Sequence, residues 1–168
     1  MKENKIAVIG CGNIGTAIVK GLLKAKEKAN NIIISRRNKN YLKDLESYGC
    51  NVSDNKQAVI ESKLIIITVG PSQISKLLDE ISPYFTKDHL IISIVAGVSI
   101  SKIQTKIKLN IPIIRAMPNT AASLCESMTC LSSKSQFKRE LKEAQALFNK
   151  LGTTLVVDES KMSSATAL

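Results

Sequence analysis

Short apolar runs alternate with amphipathic stretches along most of this chain. The runs are three to six residues long, are rich in Ile and Val, and show little alternation with polar residues. Such runs are typical of strands that are buried on both faces of a parallel sheet. They occupy residues 6–9, 32–34, 64–69, 90–95, 111–116 and 154–157.

The stretches between the runs carry apolar residues at helical spacing. In the first of them, Ile14, Ala17, Ile18, Gly21 and Leu22 fall on one stripe. Strands that alternate with helices through short links predict an α/β fold of the Rossmann type, a doubly wound, mostly parallel sheet with helices on both faces. The predicted helices cover residues 14–28, 40–48, 56–62, 73–81, 100–107 and 135–151.

Three glycines follow the first run in the sequence GCGNIG, at Gly10, Gly12 and Gly15. A strand that leads directly into G-x-G-x-x-G, with a helix after it, is the context of a dinucleotide-binding loop. The first glycine permits a tight turn, the second lets the backbone approach a pyrophosphate, and the third lets the helix pack closely on the strand. Amides at the start of that helix would face the phosphates. The alternative is a tight turn without a ligand.

The residues after the second run indicate which cofactor this loop would hold. Ser35, Arg36 and Arg37 stand where an NAD-specific site usually has an acidic residue for the ribose 2′-hydroxyl. A hydroxyl and two guanidiniums favour a 2′-phosphate instead. We therefore expect NADP(H), with NAD(H) as the alternative cofactor. The other interpretation is that both arginines are surface charges.

Small residues follow the later strands, where they would leave room for the ribose and the nicotinamide. The three segments are Val69-Gly70-Pro71, Val95-Ala96-Gly97 and Met117-Pro118-Asn119. Asn55, at the head of its predicted helix, is either an N-cap or a contact to the adenosine.

Composition narrows the range of partners. The 168 residues carry a net charge of +10, but their lysines are scattered over presumed helix faces and Trp is absent. A basic surface attracts nucleic acid or a polyanionic small molecule, and this one lacks the aromatic platforms that stack single strands. We therefore expect a small-molecule substrate and no nucleic acid. A polar N-terminus and the absence of a run of ~20 apolar residues predict a cytoplasmic protein without a membrane segment.

The cysteines and the single histidine do not indicate a metal site. Cys11, Cys50, Cys125 and Cys130 lack CxxC spacing, and His89 is the only histidine. A catalytic thiol at Cys11 would need a base, and no histidine lies nearby in the sequence. We therefore predict no metal, and the catalytic residues stay unassigned.

Several segments match one enzyme family in order along the chain. They include IAVIGCGNIGTAIVKGL, SRR, DNKQAV, LIIITVGPSQ, SIVAGVSI and RAMPNTAA. Through them the chain resembles the N-terminal domain of the pyrroline-5-carboxylate reductase family. The resemblance implies transfer of a hydride from NAD(P)H to the C=N bond of 1-pyrroline-5-carboxylate, which gives L-proline in proline biosynthesis.

The resemblance also implies roles for individual residues. It places Asn119 near the reacting end of the cofactor and Glu159 in contact with the substrate. Together, motif and resemblance predict the following cofactor-binding residues: Ile9, Gly10, Cys11, Gly12, Asn13, Ile14, Gly15, Ser35, Arg36, Arg37, Asn55, Thr68, Val69, Gly70, Pro71, Ile94, Val95, Ala96 and Asn119.

Two positions depart from the family pattern. Gly70 stands where the family usually has a lysine, and Ala121 stands where it has a second proline. In the family this domain continues into a helical domain that binds substrate and forms the dimer. We therefore expect an NADP-binding domain at 1–157, and at 158–168 the start of the connection to a helical domain that is missing here.

The isolated chain is accordingly expected to be inactive or weakly active, and a homo-oligomer is expected only together with the helical domain. Two other functions stay open. One is a non-catalytic NADP(H)-binding module. The other is a related NADP-dependent reductase, such as a β-hydroxyacid dehydrogenase or a deazaflavin-dependent reductase.

Overall fold

The computed structural model of this chain describes residues 5–163, and its strands form one sheet. The strands are β1 (Ile6–Ile9), β2 (Ile32–Ser35), β3 (Asn51–Val52), β4 (Leu64–Ile67), β5 (Leu90–Ser93), β6 (Ile113–Met117), β7 (Ser127–Ser133) and β8 (Gly152–Val156). Their order across the sheet is β3-β2-β1-β4-β5-β6-β7-β8. Neighbouring strands are parallel except β6 and β7, so the predicted mostly parallel, doubly wound sheet is confirmed.

Helices cover both faces of the sheet, as predicted. The α-helices are α1 (Asn13–Lys24), α2 (Lys43–Ser47), α3 (Asn55–Glu61), α4 (Ile74–Ile81), α5 (Ile100–Ile107) and α6 (Lys138–Asn149). Buried residues of α1, α2 and α6 pack in one apolar cluster, and those of α3, α4 and α5 pack in a second. The two clusters lie on opposite faces of the sheet.

Strand β1 shows why the apolar runs lack alternation. Ile6 and Val8 belong to the cluster of α1, whereas Ala7 and Ile9 belong to the cluster of α3 and α4. Successive side chains of a strand point to opposite faces. Because helices cover both faces here, every position of the strand requires an apolar side chain.

The order of the strands reverses at β1, which lies between β2 and β4. In open α/β sheets, ligands bind beyond the carboxyl ends of the strands at such a switch point. The fold therefore directs attention to the loops that follow Ile9, Ser35 and Ile67.

Two strands were missed by the sequence pattern. Strand β7 runs antiparallel to β6 and buries hydroxyl residues such as Ser127, Thr129 and Ser132, so it lacks the Ile and Val run that marks the other strands. Strand β3 has only two residues, which is too short for a periodic signal.

Some predicted bounds were too long. The first helix ends at Lys24 rather than residue 28, because Lys26 adopts a left-handed φ of 65°. The strands predicted at 64–69 and 90–95 end at Ile67 and Ser93.

The predicted connecting segment, 158–168, is only partly described. Glu159–Lys161 forms one turn of 3-10 helix, and Met162 after it is buried. Residues 164–168 of this prediction lie outside the described residues. Between residues 5 and 163, no helix has the length and hydrophobicity that crossing a bilayer requires.

Candidate functional site

The glycine loop joins β1 to α1 and is tied to the neighbouring strand β2. The amides of Gly10 and Cys11 both donate to the carbonyl oxygen of Ser35, at 3.0 and 2.9 Å. Helix α1 begins at Asn13, and Gly12 at its N-cap has no side chain to satisfy the first amides. The first amides of a helix have no partner inside it, so this end is suited to an anion.

Two of the three glycines are required by the protein itself. Gly10 has a φ of +80°, and a Cβ there would lie 2.3 Å from Cγ1 of Val69. A Cβ at Gly15 would lie 2.7 Å from Oγ1 of Thr68. These contacts confirm the predicted tight turn at Gly10 and the close approach of the helix to the sheet at Gly15.

Gly12 differs from both. The nearest atom to a Cβ there is the carbonyl oxygen of Gly10 at 3.7 Å, and φ is −88°. Packing therefore gives no reason for glycine, although the residue lines a cavity. A glycine whose Cβ would project into a cavity beside a helix N-terminus fits the approach of a pyrophosphate.

The cavity has a volume of about 920 Å³ and lies beyond the carboxyl ends of the central strands. More than half of the predicted cofactor-binding residues line it. They are Ile9, Gly10, Gly12, Ser35, Arg36, Arg37, Asn55, Thr68, Val69 and Gly70.

Thr68 closes the floor of the cavity under the glycine loop. Its hydroxyl donates to the carbonyl oxygens of Ile9 and Gly10, both at 3.0 Å. Its amide donates to Ile9 as well. These bonds fix the end of β4 to the loop that follows β1.

Asn55 connects two walls of the cavity. The hydroxyl of Ser35 donates to Oδ1 of Asn55 at 2.8 Å, and Nδ2 of Asn55 donates to both carboxylate oxygens of Glu80, at 3.1 and 3.2 Å. The N-cap of α3 is Asp54, whose carboxylate accepts from the amide of Gln57. The N-cap interpretation of Asn55 is therefore wrong, and its side chain is available at the cavity wall.

A rim of positive charge surrounds the loop after β2. Arg36 stacks on Tyr41, with the guanidinium carbon 4.3 Å from the ring centroid, and donates to the carbonyl oxygen of Cys11 at 3.4 Å. Arg36, Arg37, Lys39 and Lys76 line the cavity, against two carboxylates, Asp54 and Glu80. Both carboxylates already accept hydrogen bonds from the protein, so the excess charge of the cavity favours an anion.

Cys11 contributes its backbone to the loop and buries its side chain. Burial raises the pKa of the thiol, while a hydrogen bond with Thr16 and the charge of Arg36 act in the opposite direction. Burial also raises the pKa of Cys50, to about 11. Both thiols are therefore protonated near neutral pH, and the thiol of Cys11 does not line the cavity.

The remaining predicted residues do not line this cavity. Asn13 and Ile14 lie in the first turn of α1, and Pro71 is exposed in the turn before α4. The side chains of Ile94 and Val95 are buried, Ala96 is exposed, and Asn119 accepts a hydrogen bond from the amide of Ala121. The cavity thus brings together the residues predicted around the adenosine and pyrophosphate with Thr68, Val69 and Gly70 of the predicted ribose and nicotinamide side. The other residues predicted for the nicotinamide side, Pro71 and those at the ends of β5 and β6, lie outside it.

Glu159, the predicted substrate contact, has partners within this chain. Its Oε1 accepts from the amide of Ile100 at 2.7 Å, at the start of α5, and pairs with Nη1 of Arg115 at 3.3 Å. Arg115 is 6% exposed. The substrate role of Glu159 stays a prediction.

Sequence reasoning missed about half of the cavity wall. Three of the missed residues, Lys76, Leu77 and Glu80, lie on α4 at helical spacing. This spacing, together with the position of α4 directly after β4, could have indicated that they face the cavity. The missed residues are Asn38, Lys39, Tyr41, Ser53, Asp54, Ser72, Gln73, Lys76, Leu77 and Glu80. Within residues 5–163, no group of three or more His, Cys, Asp or Glu is arranged to hold a metal ion.

Known proteins resemble this chain in sequence. The family described as NADP oxidoreductase, coenzyme F420-dependent, matches residues 5–97. Pyrroline-5-carboxylate reductase 1 of Dictyostelium discoideum is 40% identical and aligns with 99% of this chain and 33% of its own length. Pyrroline-5-carboxylate reductase 2 of the same organism is 39% identical and aligns with 100% of this chain and 62% of its own length.

Solved structures resemble it in fold. A pyrroline-5-carboxylate reductase from Coxiella burnetii superimposes with a TM-score of 0.90 at 28% identity, over 98% of this chain and 63% of that one. A pyrroline carboxylate reductase from Plasmodium falciparum with NADP bound gives a TM-score of 0.88 at 26% identity, over 99% and 62%. The chain therefore spans less than two thirds of the length of each of these relatives.

Proposed function

This chain belongs to the family described as NADP oxidoreductase, coenzyme F420-dependent, and we propose that it supplies the NADP(H)-binding half of a pyrroline-5-carboxylate reductase. The reaction is reduction of the C=N bond of 1-pyrroline-5-carboxylate to L-proline. NADPH, when bound, supplies the hydride.

The observation that carries this proposal is the agreement between the relatives and the cavity. Relatives named pyrroline-5-carboxylate reductase align with nearly all of this chain, and the cavity is built from the glycine loop and a basic rim. The family description also mentions coenzyme F420. We favour the imine substrate because the relatives that align with nearly the whole chain carry that name.

In this proposal each wall of the cavity has one task. The amides at the start of α1 and the bare α carbon of Gly12 receive the pyrophosphate. Asn55 binds the adenosine side, with its amide oriented by Ser35 and Glu80. The cations after β2 select a 2′-phosphate.

The residues predicted for the nicotinamide side complete the proposal. Ile94, Val95 and Ala96 follow β5, two strands from the glycine loop, and Asn119 follows β6. All of them lie beyond carboxyl ends of parallel strands, the edge at which the cavity opens. We propose that they border the nicotinamide, and that residues 1–157 act as the cofactor domain.

The test is oxidation of NADPH by this chain at high protein concentration with 1-pyrroline-5-carboxylate. Substrate-dependent loss of NADPH absorbance, accompanied by proline, supports the proposal. A β-hydroxy acid tested with NADP serves as the control substrate for the related dehydrogenases. Binding of NADPH without turnover, by this chain and by any longer form in which it occurs, would contradict a reductase and favour the non-catalytic module.

A further inference from the structure

One aromatic side chain at the cavity has no role in the site described above. Tyr41 is 63% exposed, lies in the 3-10 turn Lys39–Leu42 after β2, and contacts Arg36 through its ring. Exposure of a large ring to water is unfavourable unless something covers it. Tyr48, which is 59% exposed nearby in the sequence, does not line the cavity.

The contact fixes the plane of the Arg36 guanidinium. The ring covers one face at 4.3 Å, and the bond from Nη1 to the carbonyl oxygen of Cys11 ties one edge to the glycine loop. A guanidinium is planar and stacks on aromatic faces, so its second face is equally suited to stacking. Since Arg36 lines the cavity, a planar group bound there can stack on it.

The two other cations of this loop are better suited to read a phosphate. Arg37 and Lys39 line the cavity and are exposed. Neither forms an ion pair with a carboxylate in the part of the chain that the structure describes. Their charges are therefore uncompensated at the position where the loop leaves β2.

We propose that Tyr41 and Arg36 form a stacked platform for the adenine ring, and that Arg37 and Lys39 select the 2′-phosphate. The sequence alone assigned Ser35, Arg36 and Arg37 together to the phosphate. The platform rests on the proposed binding of NADP(H), and it makes Tyr41 a determinant of affinity for both NADPH and NADH. Stacking on a base does not depend on the phosphate, whereas a cation beside the phosphate affects only the phosphorylated cofactor.

The experiment measures dissociation constants of NADPH, NADH and adenosine 2′,5′-bisphosphate by calorimetry. Tyr41→Leu removes the ring that holds Arg36 in place and is expected to weaken all three by a similar factor of about three to five, the size of an exposed cation–π contact. Tyr41→Phe keeps the ring and should stay within about twofold. Lys39→Ala should weaken NADPH and the bisphosphate and leave NADH unchanged.

Matched controls are available in the same segment. Tyr48→Leu removes a ring of similar exposure, and Lys43→Ala removes an exposed lysine, both outside the cavity lining. Neither is expected to change any of the three constants. Unchanged binding in Tyr41→Leu would overturn the platform. A loss confined to NADPH and the bisphosphate would also overturn it, because it would show that Tyr41 only orients Arg36 toward the phosphate.

These outcomes are separable from failure of the proposed reductase. If Tyr41→Leu lowers the affinity for all three ligands while the unmodified chain does not reduce 1-pyrroline-5-carboxylate, the platform is retained and the proposed reaction is rejected. A chain that fails to bind adenosine 2′,5′-bisphosphate at all would overturn the platform.

Discussion

The glycines of the nucleotide loop differ in what a methyl group would meet. At Gly15 the methyl group would meet Thr68, whose hydroxyl is held by two carbonyl oxygens, so the clash cannot be relieved by a simple rotation. At Gly12 it would meet only the carbonyl oxygen of Gly10, at an ordinary van der Waals distance of 3.7 Å. Glycine at 15 therefore serves the fold, and glycine at 12 serves the proposed ligand.

Alanine at these two positions should separate stability from binding. Gly15→Ala gains about 1 kcal/mol of helix propensity, forfeits the hydroxyl hydrogen bond of Thr68, which is shared between two carbonyl oxygens and worth about 1 kcal/mol, and adds a clash that costs about 1 kcal/mol. We expect the free energy of unfolding to fall by about 1 kcal/mol. Gly12→Ala should cost less than about 1 kcal/mol as an N-cap change and should raise the dissociation constant of NADPH roughly tenfold.

Urea denaturation and calorimetric titration of the two variants give both quantities. Gly12→Ala that binds NADPH as tightly as the unmodified chain would show that no phosphate approaches the loop at this position.

At the scale of elements, the sequence predicted strands and helices most accurately where the pattern of apolar residues was strong. Strand β1, the glycine turn and helix α1 follow from an apolar run, a motif and a stripe. Strand β7 escaped prediction because three of its buried residues, Ser127, Thr129 and Ser132, are polar, and the buried Cys130 and Leu131 alone give no apolar run. The α4 wall was missed although its spacing and its position after β4 were visible in the sequence; that this helix faces the loop after β2 depends on the strand order, which is set by contacts between distant parts of the chain.

The turn Glu159–Lys161 allows a test of the remaining role of Glu159. Its carboxylate caps α5 through Ile100 and pairs with the buried guanidinium of Arg115. Glu159→Gln keeps an acceptor for the amide but loses the charge, so stability should fall by about 1 kcal/mol. Glu159→Ala also removes the cap and should cost about 2 kcal/mol.

Thermal unfolding of both variants, with the dissociation constant of NADPH as the control, distinguishes this structural role of Glu159 from a substrate contact. If Glu159 only stabilises the fold through Ile100 and Arg115, cofactor binding is unchanged and Glu159→Ala loses more stability than Glu159→Gln. Variants that unfold like the unmodified chain but raise the KM for 1-pyrroline-5-carboxylate would instead support the substrate role.

At the scale of the whole molecule, the position of the site follows from topology. The reversal of strand order at β1 opens a crevice at the carboxyl edge, and every loop that borders the cavity arises from that edge. The fold class and the adenosine side of the site were predictable because the motif residues lie next to predicted strands. The nicotinamide side was predicted from small residues at strand ends and from resemblance; Thr68, Val69 and Gly70 after β4 line the cavity, whereas Pro71 and the residues after β5 and β6 lie outside it.

Charge contributes at the same scale. The chain carries a net charge of +10, and the cavity itself has four cations against two engaged carboxylates. This excess of positive charge attracts an anion, and the attraction weakens as the salt concentration increases. In the proposed function, the excess of cations next to the loop after β2 would distinguish a phosphorylated cofactor from its unphosphorylated form.

The most direct test of this account is a parallel titration of the chain with NADPH and NADH at low ionic strength. We predict that NADPH binds at least roughly tenfold more tightly than NADH, because charge-assisted bonds to the 2′-phosphate contribute only to NADPH binding. The difference should shrink with added salt. NADH that binds as tightly as NADPH, or more tightly, would contradict the account.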